Sequence, residues 1–352
     1  MPVEFPVLNN CTYLNTAYVG LMPQQLLDFR AKEEARYLQI GDLYKLNAYD
    51  KLPDFHHNLG NFLGADPKYC YMVPNFSEGI RRIFDQIPRD YKFLSLQGDY
   101  HSLEGALEEY GFDVQQVAMS PNTESELRDH LREAPYQVLV LSIVQYISGL
   151  KIDLDTLTEI RQEFPDLMII GDATQFLGTA DFDLHHSPFD AVVGSGYKWL
   201  LAGFGNGFCA LKSTFFQKTQ IKPEILEKRI YAGHFDILAA ASLDFSIRQL
   251  LSEEVAEQRY RSIKALTQTF HQALIEKEWL HYPELSKRNP SSIFLIKGGQ
   301  QTYDLLQQEN IRCALRGDGV RISIHFYNST NDLDHLMETL KKVPHPSVQT
   351  AT

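Results

Sequence analysis

The stretch Leu167–Gly207, LMIIGDATQFLGTADFDLHHSPFDAVVGSGYKWLLAGFGNG, decides how this chain is read. Leu167, Met168, Ile169 and Ile170 form an unbroken apolar run, the pattern of a strand covered on both faces of a sheet. The run ends at Gly171-Asp172, which places a carboxylate where a strand of an α/β sheet opens into a crevice, the usual ligand position of such folds. Ala191, Val192 and Val193 give a second short strand that passes through Gly194, Ser195 and Gly196 to Tyr197-Lys198, with apolar Trp199, Leu200 and Leu201 directly after. Singly, an Asp after a strand is most often a helix N-cap and a Lys after a strand a solvated head group. Jointly, at the ends of two apolar strands, they mark a site.

Working outward, alternating strands and helical stretches through about residue 215 fit a mostly parallel sheet with helices on both faces. Tyr69 to Val73 reads as a strand, and Pro74-Asn75-Phe76-Ser77-Glu78-Gly79 then opens an apolar-periodic helix. Backbone N–H groups at such an N-terminus can hold phosphate, and ordinary capping by Asn75 or Ser77 would use the same geometry. KFLSLQGDYHSL gives another strand followed by Asp99-Tyr100-His101-Ser102, and Val138 to Val144 is a β-branched strand ending in Gln145-Tyr146-Ile147-Ser148-Gly149. No G-x-G-x-x-G follows the first strand. The run Gly203-Phe204-Gly205-Asn206-Gly207 reads as a tight turn before a strand from Phe208 to Leu211, which weakens a nicotinamide-dependent Rossmann enzyme as the main rival.

With 352 residues the chain can bury one large and one smaller core. No apolar run reaches the twenty residues of a membrane span, and MPVEFPVLNN lacks the basic region and apolar core of a signal peptide, so a cytoplasmic protein without a membrane partner is expected. The net charge of −12 and the lack of a basic cluster beyond pairs such as Arg81-Arg82 argue against nucleic acid. Cys11, Cys70, Cys209 and Cys313 lie far apart with no C-x-x-C pair, the pattern of reduced cysteines rather than a zinc site or disulfide framework. The pairs His56-His57 and His185-His186 lack i,i+4 ligand spacing and read as surface features, so no metal is expected.

Pyridoxal phosphate chemistry needs the combination found at Asp172 and Lys198. The cofactor aldehyde is held by a lysine as a Schiff base, while a carboxylate pairs with the pyridine nitrogen and keeps it protonated, so that a carbanion at the substrate α-carbon is delocalised. At Asp172-Ala173-Thr174-Gln175 and Ser195-Gly196-Tyr197-Lys198 the chain resembles the class V aminotransferase family. This is the fold-type I pyridoxal-phosphate group that also contains cysteine desulfurases, kynureninases and isopenicillin N epimerases. The resemblance runs over nearly the whole chain. It implies a mostly parallel seven-stranded sheet with helices on both faces, in a large cofactor domain over 15–235. A smaller α+β domain over 236–352, joined by residues 1–14, would complete the chain.

The resemblance assigns Lys198 and Asp172 as catalytic and adds Gln175, Ser195 and Tyr197 to the cofactor set. Asn75, Phe76 and Ser77 match the family's small-polar phosphate triplet. Tyr100 stands where relatives stack a His or another ring on the pyridine, with His101 beside it as the alternative, and Gln145, next to Tyr146, stands where relatives carry an Asn that reaches the 3-hydroxyl. Gly233-His234 replaces a Gly-Thr that in relatives reaches the phosphate of the neighbouring subunit, so a homodimer with shared active sites is implied, although a surface histidine fits equally. The long helical stretch from Phe235 to about Lys277 would link the domains.

At the C-terminus, RGDGVRISIHFYNST resembles the family's last strand and turn, and the resemblance makes Arg321 the clamp for a substrate α-carboxylate, a task suited to a forked guanidinium. Arg316 is a weaker candidate, and His325, Tyr327 and Asn328 read as structural. TYLNTAYVGLMP, from Thr12 to Pro23, resembles the family's entry segment and puts Asn15 and Tyr18 on the substrate side, with Ala17 and Gly20; an N-terminal strand and turn that docks the small domain is the alternative. Only Asp318 and Gly319 separate Gly317 from Val320, which leaves no room for the mobile cysteine loop a desulfurase needs. The expected activity is transamination at the α-carbon of a small amino acid. A kynureninase-like or desulfurase-like lyase is the alternative, and a pyridoxal-phosphate binder without turnover is a third reading.

Overall fold

The structure is a computed structural model that describes residues 3–343. Its centre is a seven-stranded sheet made of β1 (Cys70–Val73), β2 (Lys92–Leu96), β3 (Asp113–Val117), β4 (Val138–Ser142), β5 (Met168–Asp172), β6 (Ala191–Ser195) and β7 (Gly207–Leu211). Their order across the sheet is β1-β7-β6-β5-β4-β2-β3. All pairings are parallel except those of β7, which runs antiparallel to both β1 and β6. These strands are apolar almost throughout because both faces are covered. Leu139 and Leu141 of β4 pack with Leu59, Leu127, Leu157 and Leu243 on one face, while Val138 and Val140 pack with Phe76, Ile80 and Leu103 on the other. Removal of each such side chain from water contributes about 1.5–3 kcal/mol.

The strand order fixes where a ligand can sit. Strand β2 has its successor β3 on one side and β4 on the other, so the connections leaving β2 and β4 diverge and open a crevice at their C-terminal ends. Asp99 follows β2, Gln145 follows β4, Asp172 ends β5, and Lys198 lies three residues beyond β6.

A second, three-stranded antiparallel sheet of β8 (Ile293–Ile296), β9 (Ala314–Arg316) and β10 (Gly319–Ser323), ordered β9-β10-β8, packs against the helices Glu253–Glu276, Gly299–Gln308 and Thr330–Leu340. The N-terminus joins this core: Thr12–Tyr13 pairs with Ile311–Arg312, and Leu14 is buried among its residues. Where one long linking helix was expected from Phe235, the chain forms two, Ile237–Leu250 and Glu253–Glu276, broken at Leu251-Ser252. Ile237–Leu250 falls within the small domain by the expected boundary at 236. It nevertheless buries Leu243 and Ile247 in the core of the large sheet, while Phe270 and Leu274 of the following helix enter the small core. The N-terminal helical stretch is likewise split, into Gln24–Ile40 and Asp42–Asp50, at Gly41. Among the described residues no helix is long and apolar enough to cross a membrane.

Candidate active site

Asp172 and Lys198 are both buried, at 5% and 7% exposure, and each is displaced from its ordinary protonation behaviour. Burial pushes the Asp172 carboxyl well up, opposed by hydrogen bonds from Thr174 and by the attraction of Lys198. Its Oδ1 accepts the Thr174 N–H at 2.8 Å. Burial pushes the Lys198 amine down, opposed by Asp172 and reinforced by the positive charges of Arg321 and Arg316. A lysine whose amine is more readily deprotonated is a better nucleophile and proton carrier near neutral pH. The amine faces two rings, with Nζ 5.6 Å from the centroids of both Tyr100 and Tyr197.

The strand ends hold this pair by close packing. Ser195 Oγ accepts the Phe76 N–H at 2.9 Å, which ties the end of β6 to the start of the helix Phe76–Phe84. Thr174 Oγ1 in turn accepts the Ser195 N–H at 3.2 Å. The N-terminal segment lies directly on the lysine: Gly20 donates its N–H to the Tyr197 carbonyl at 2.9 Å, and a Cβ on Gly20 would stand 1.9 Å from the Lys198 carbonyl oxygen. Glycine is required there by contact.

Tyr100 caps the helix His101–Tyr110, and its ring meets Phe76 at 5.7 Å and Tyr146 at 5.4 Å, both edge-on. Of the two candidates for stacking, Tyr100 is the one turned toward Lys198; His101 is exposed, with ring contacts to Tyr100 and Tyr146. Beneath Tyr100 lies a carboxylate that the sequence reading passed over as part of a motif. Asp99 is buried and accepts the Tyr100 N–H at 2.7 Å, the Ser142 N–H at 2.8 Å and the Ser142 hydroxyl. The available signal was its place: like Asp172, it is an acid a few residues from the end of an apolar strand.

Arg321 lies on β10, opposite Leu295 of β8 and Ala314 of β9, and is 1% exposed. Its Nη1 donates to the Tyr146 carbonyl at 2.6 Å, while Nε and Nη2 are buried with no partner. Buried polar groups are almost always hydrogen-bonded, so two unsatisfied guanidinium donors point to an anion from outside the chain. Burial and the nearby Arg316 push its pKa below the usual guanidinium range, without discharging it at neutral pH. Arg316 itself stands over the exposed Tyr18 ring at 5.6 Å. Asn15 bridges to Ser323 on β10, and its Oδ1 is also buried without a partner.

Several predicted residues are committed within the chain. Asn75 caps its helix, its Oδ1 accepting the Glu78 N–H at 3.0 Å, and Ser77 Oγ accepts from Ser102 Oγ at 2.6 Å. Gln175 donates to the Ala17 carbonyl at 3.0 Å and accepts the Trp199 indole N–H at 2.7 Å. Gln145 donates to the Gly98 carbonyl at 3.0 Å, and its Oε1 accepts the N–H groups of Ile147 and Ser148 at 2.7 and 2.6 Å. Both amides therefore hold loops around the site. His234 lies apart, on the surface with Lys45 Nζ at 3.3 Å and the Tyr49 hydroxyl at 3.2 Å. His325 accepts the Phe326 N–H at Nδ1 and meets the Trp199 carbonyl at Nε2, 3.1 Å away, the pattern of a neutral structural imidazole. His56 is half-buried against Tyr231 rather than on the surface, with Nε2 2.7 Å from the hydroxyl.

Among the described residues no group of three or more His, Cys, Asp or Glu could hold a metal. A cleft of about 880 Å³ along Glu253–Glu276, lined by Lys151, Tyr260, Lys264 and Ser291, contains neither Asp172 nor Lys198. Buried charge, not volume, locates the chemistry here. The donor set fits pyridoxal phosphate: a buried amine, a buried carboxylate, the Tyr100 ring facing the amine, and a helix N-terminus with two hydroxyls, Ser77 and Ser102, beside it.

No family model matches the chain, and no curated protein matches it in sequence. Among solved structures it is similar to the cystine C–S lyase C-DES in complex with its reaction product cysteine persulfide, with a TM-score of 0.85 at 16% identity over 96% of this chain and 99% of that one. A C-DES mutant with glycine covalently linked to its pyridoxal-phosphate cofactor aligns with a TM-score of 0.84 at 14% identity, over 97% of this chain and 99% of that one. The apo cysteine desulfurase from Thermococcus onnurineus NA1 aligns with a TM-score of 0.81 at 16% identity, over 97% and 98%. The likeness at these identities is one of fold, and it gives this chain the fold-type I architecture that those enzymes share.

Proposed function

We propose that the protein is a pyridoxal-phosphate-dependent lyase that removes the side chain of a small amino acid at its β-carbon, with a sulfur-containing substrate carrying two carboxylates, of the cystine type, as its best fit. The observation that carries this reading is Arg321, a fully buried guanidinium with two unpartnered donors, within the electrostatic reach of Lys198. The fold's solved neighbours, which include a C–S lyase and cysteine desulfurases, support the lyase alternative over the transamination expected from the sequence.

When bound, pyridoxal phosphate supplies an electron sink for the pair released at the substrate α-carbon. Lys198 would hold the cofactor aldehyde and, once the substrate amine replaces it, carry the α-proton. Asp172 would hold the proton on the pyridine nitrogen, Tyr100 would cover the ring, and the N-terminus of Phe76–Phe84 with Ser77 and Ser102 would take the phosphate. Arg321 grips the α-carboxylate and fixes the α-hydrogen toward Lys198. Arg316, near enough to lower the proton affinity of both Arg321 and Lys198, offers a second guanidinium to a distal carboxylate.

A desulfurase mechanism needs a protein thiolate at the substrate sulfur, and this chain has none in place. Cys70 and Cys313 are buried with thiols pushed up to about 12, Cys209 is buried and pushed higher still, and Cys11 lies against the Val7 carbonyl. Strands β9 and β10 are joined by the tight turn Gly317-Asp318, with Gly317 at φ +57°, so no cysteine-bearing loop intervenes. Sulfur therefore leaves on the substrate fragment. For cystine, loss of the α-proton and cleavage of the Cβ–S bond, the sulfur keeping the bonding pair, would give cysteine persulfide, and hydrolysis of the three-carbon remainder would give pyruvate and ammonia.

The exposed Leu38, Leu43 and Leu46 lie on the same N-terminal helices as the Lys45 and Tyr49 that touch His234. An apolar surface of this kind supports a homodimer in which this face meets a second copy. The test of the function is product analysis with added pyridoxal phosphate. Pyruvate and ammonia should form from cystine without any keto acid, and Lys198→Ala should abolish them. Dependence on a keto-acid acceptor would restore transamination, and the lack of any visible absorbance band in the wild type would end the cofactor reading.

A further inference from the structure

Asp99 is a buried acid near the site that the mechanism leaves without work. It is 2% exposed, it lies just past β2, and its two oxygens receive three donors: the Tyr100 N–H, the Ser142 N–H and the Ser142 hydroxyl. Ser142 ends β4 and pairs in register with Asp172 at the end of β5. One carboxylate thus joins the ends of β2 and β4, beside β5, to the residue whose ring faces Lys198.

A serine or asparagine could link these backbones at lower cost, since an ionised carboxylate loses its hydration on burial and three hydrogen bonds return only part of it. Burial pushes the Asp99 carboxyl up, with Glu104 as the other acid facing it, and the hydroxyl and N–H of Ser142 and the N–H of Tyr100 oppose that shift. All three contacts are donors aimed at its oxygens, the arrangement that favours the ionised form, and in that form it acts through its field. Its neighbours within that field are Asp172, whose hold on a proton it strengthens, and through Asp172 the Lys198 amine.

We propose that Asp99 is a positioning residue for the cofactor site, one that fixes the Tyr100 ring over the crevice through its N–H and supplies, from beneath, a second negative charge that makes Asp172 a stronger partner for a protonated ring nitrogen. The proposal rests on the reading of Lys198 and Asp172 as the pyridoxal-phosphate pair. It assigns Asp99 no contact with substrate.

The test compares wild type, Lys198→Ala, Asp99→Asn and Ser142→Ala, each titrated with pyridoxal phosphate and followed by visible absorbance from pH 6 to 10, with the Tm of each apo-protein measured alongside. Asp99→Asn removes the charge and turns an amide N–H toward donors. Its absorbance midpoint should fall by on the order of one pH unit, the size expected for a unit charge several Å away at moderate dielectric, and its cofactor Kd should rise about tenfold. Ser142→Ala removes the hydroxyl that most favours ionised Asp99, and should move the midpoint in the same direction by less, with a weaker Kd effect. If Asp99→Asn lowers Tm but titrates on the wild-type curve, Asp99 is a strand tie alone and the proposal is overturned. If the wild type shows no band that Lys198→Ala lacks, the parent reading fails instead, and the two failures cannot be confused. Should Asp99→Asn not fold, Asp99→Ser, which removes the charge with a smaller side chain, must lower the midpoint for the proposal to stand.

Discussion

Lys198 carries its amine in a setting that favours the neutral form, and that has a measurable sign. Its folded pKa is lowered from the ordinary value of 10.5 to about 8. Between those two values the unfolded chain binds the proton that the folded chain has released, so folding stability gained from this residue rises with pH across that window and is flat below it. In the apo-protein, the stability of wild type relative to Lys198→Met should therefore increase as pH is raised above 8 toward 10.5, as read by denaturant melts at several pH values. A constant difference would mean that the amine is solvated. Arg321 gives the opposite kind of test. Because two of its donors have no partner, Arg321→Met should abolish turnover while raising apo-protein stability by about 1–4 kcal/mol, as replacement of buried charge by apolar volume often does. A fall in Tm would make the Tyr146 contact its purpose.

At the scale of elements, the site is assembled from ends. The helix Phe76–Phe84 begins at Asn75, whose side chain caps it, while its first N–H is taken by Ser195. Asn75→Ala should cost about 1 kcal/mol of stability, the usual value of a lost N-cap, and weaken inorganic phosphate binding only modestly; a large loss of phosphate affinity without a change in Tm would give Asn75 a direct ligand role instead. The N-terminal strap is held to the lysine by contact rather than by hydrogen bonds alone. Gly20→Ala drives a methyl into the Lys198 carbonyl, and should cost about 1–3 kcal/mol and slow cofactor loading, with circular dichroism in the visible region as the readout. Its neighbour Gln175, through Ala17 and Trp199, is the polar hinge pin of the same strap.

For the whole molecule, the two cores and the surface carry separate information. Exposed leucines lie on the helices Gln24–Ile40 and Asp42–Asp50, and the second of these also carries the Lys45 and Tyr49 that meet His234. Leu38→Asp combined with Leu46→Asp should convert a dimer of twice 40.4 kDa to a monomer by light scattering, with secondary structure unchanged. If a wild-type dimer persists in the double variant, the contact between copies lies on another face. The Leu251-Ser252 break divides the helix of the large core from the helix of the small one, and Arg321 lies on a strand of the sheet that the small core covers.

The sequence by itself determined the architecture and the order of chemistry along it. Apolar strands covered on both faces leave a signal that needs no tertiary knowledge, as in Met168 to Ile170 and Ala191 to Val193, and the polar residues at their ends announce the crevice. Tertiary structure alone decided which polar groups are free to act. Gln145 and Gln175 were legible as polar side chains near the site, yet their hydrogen bonds to Gly98, Ile147, Ala17 and Trp199 come from loops up to 158 residues away. Arg321 and Asp99 show the converse: one has donors left over and the other has every oxygen engaged, and neither condition is written in the local sequence. Periodicity is a property of neighbours along the chain, whereas hydrogen-bond satisfaction and burial are properties of neighbours in space, and the second kind sets a charge's energy.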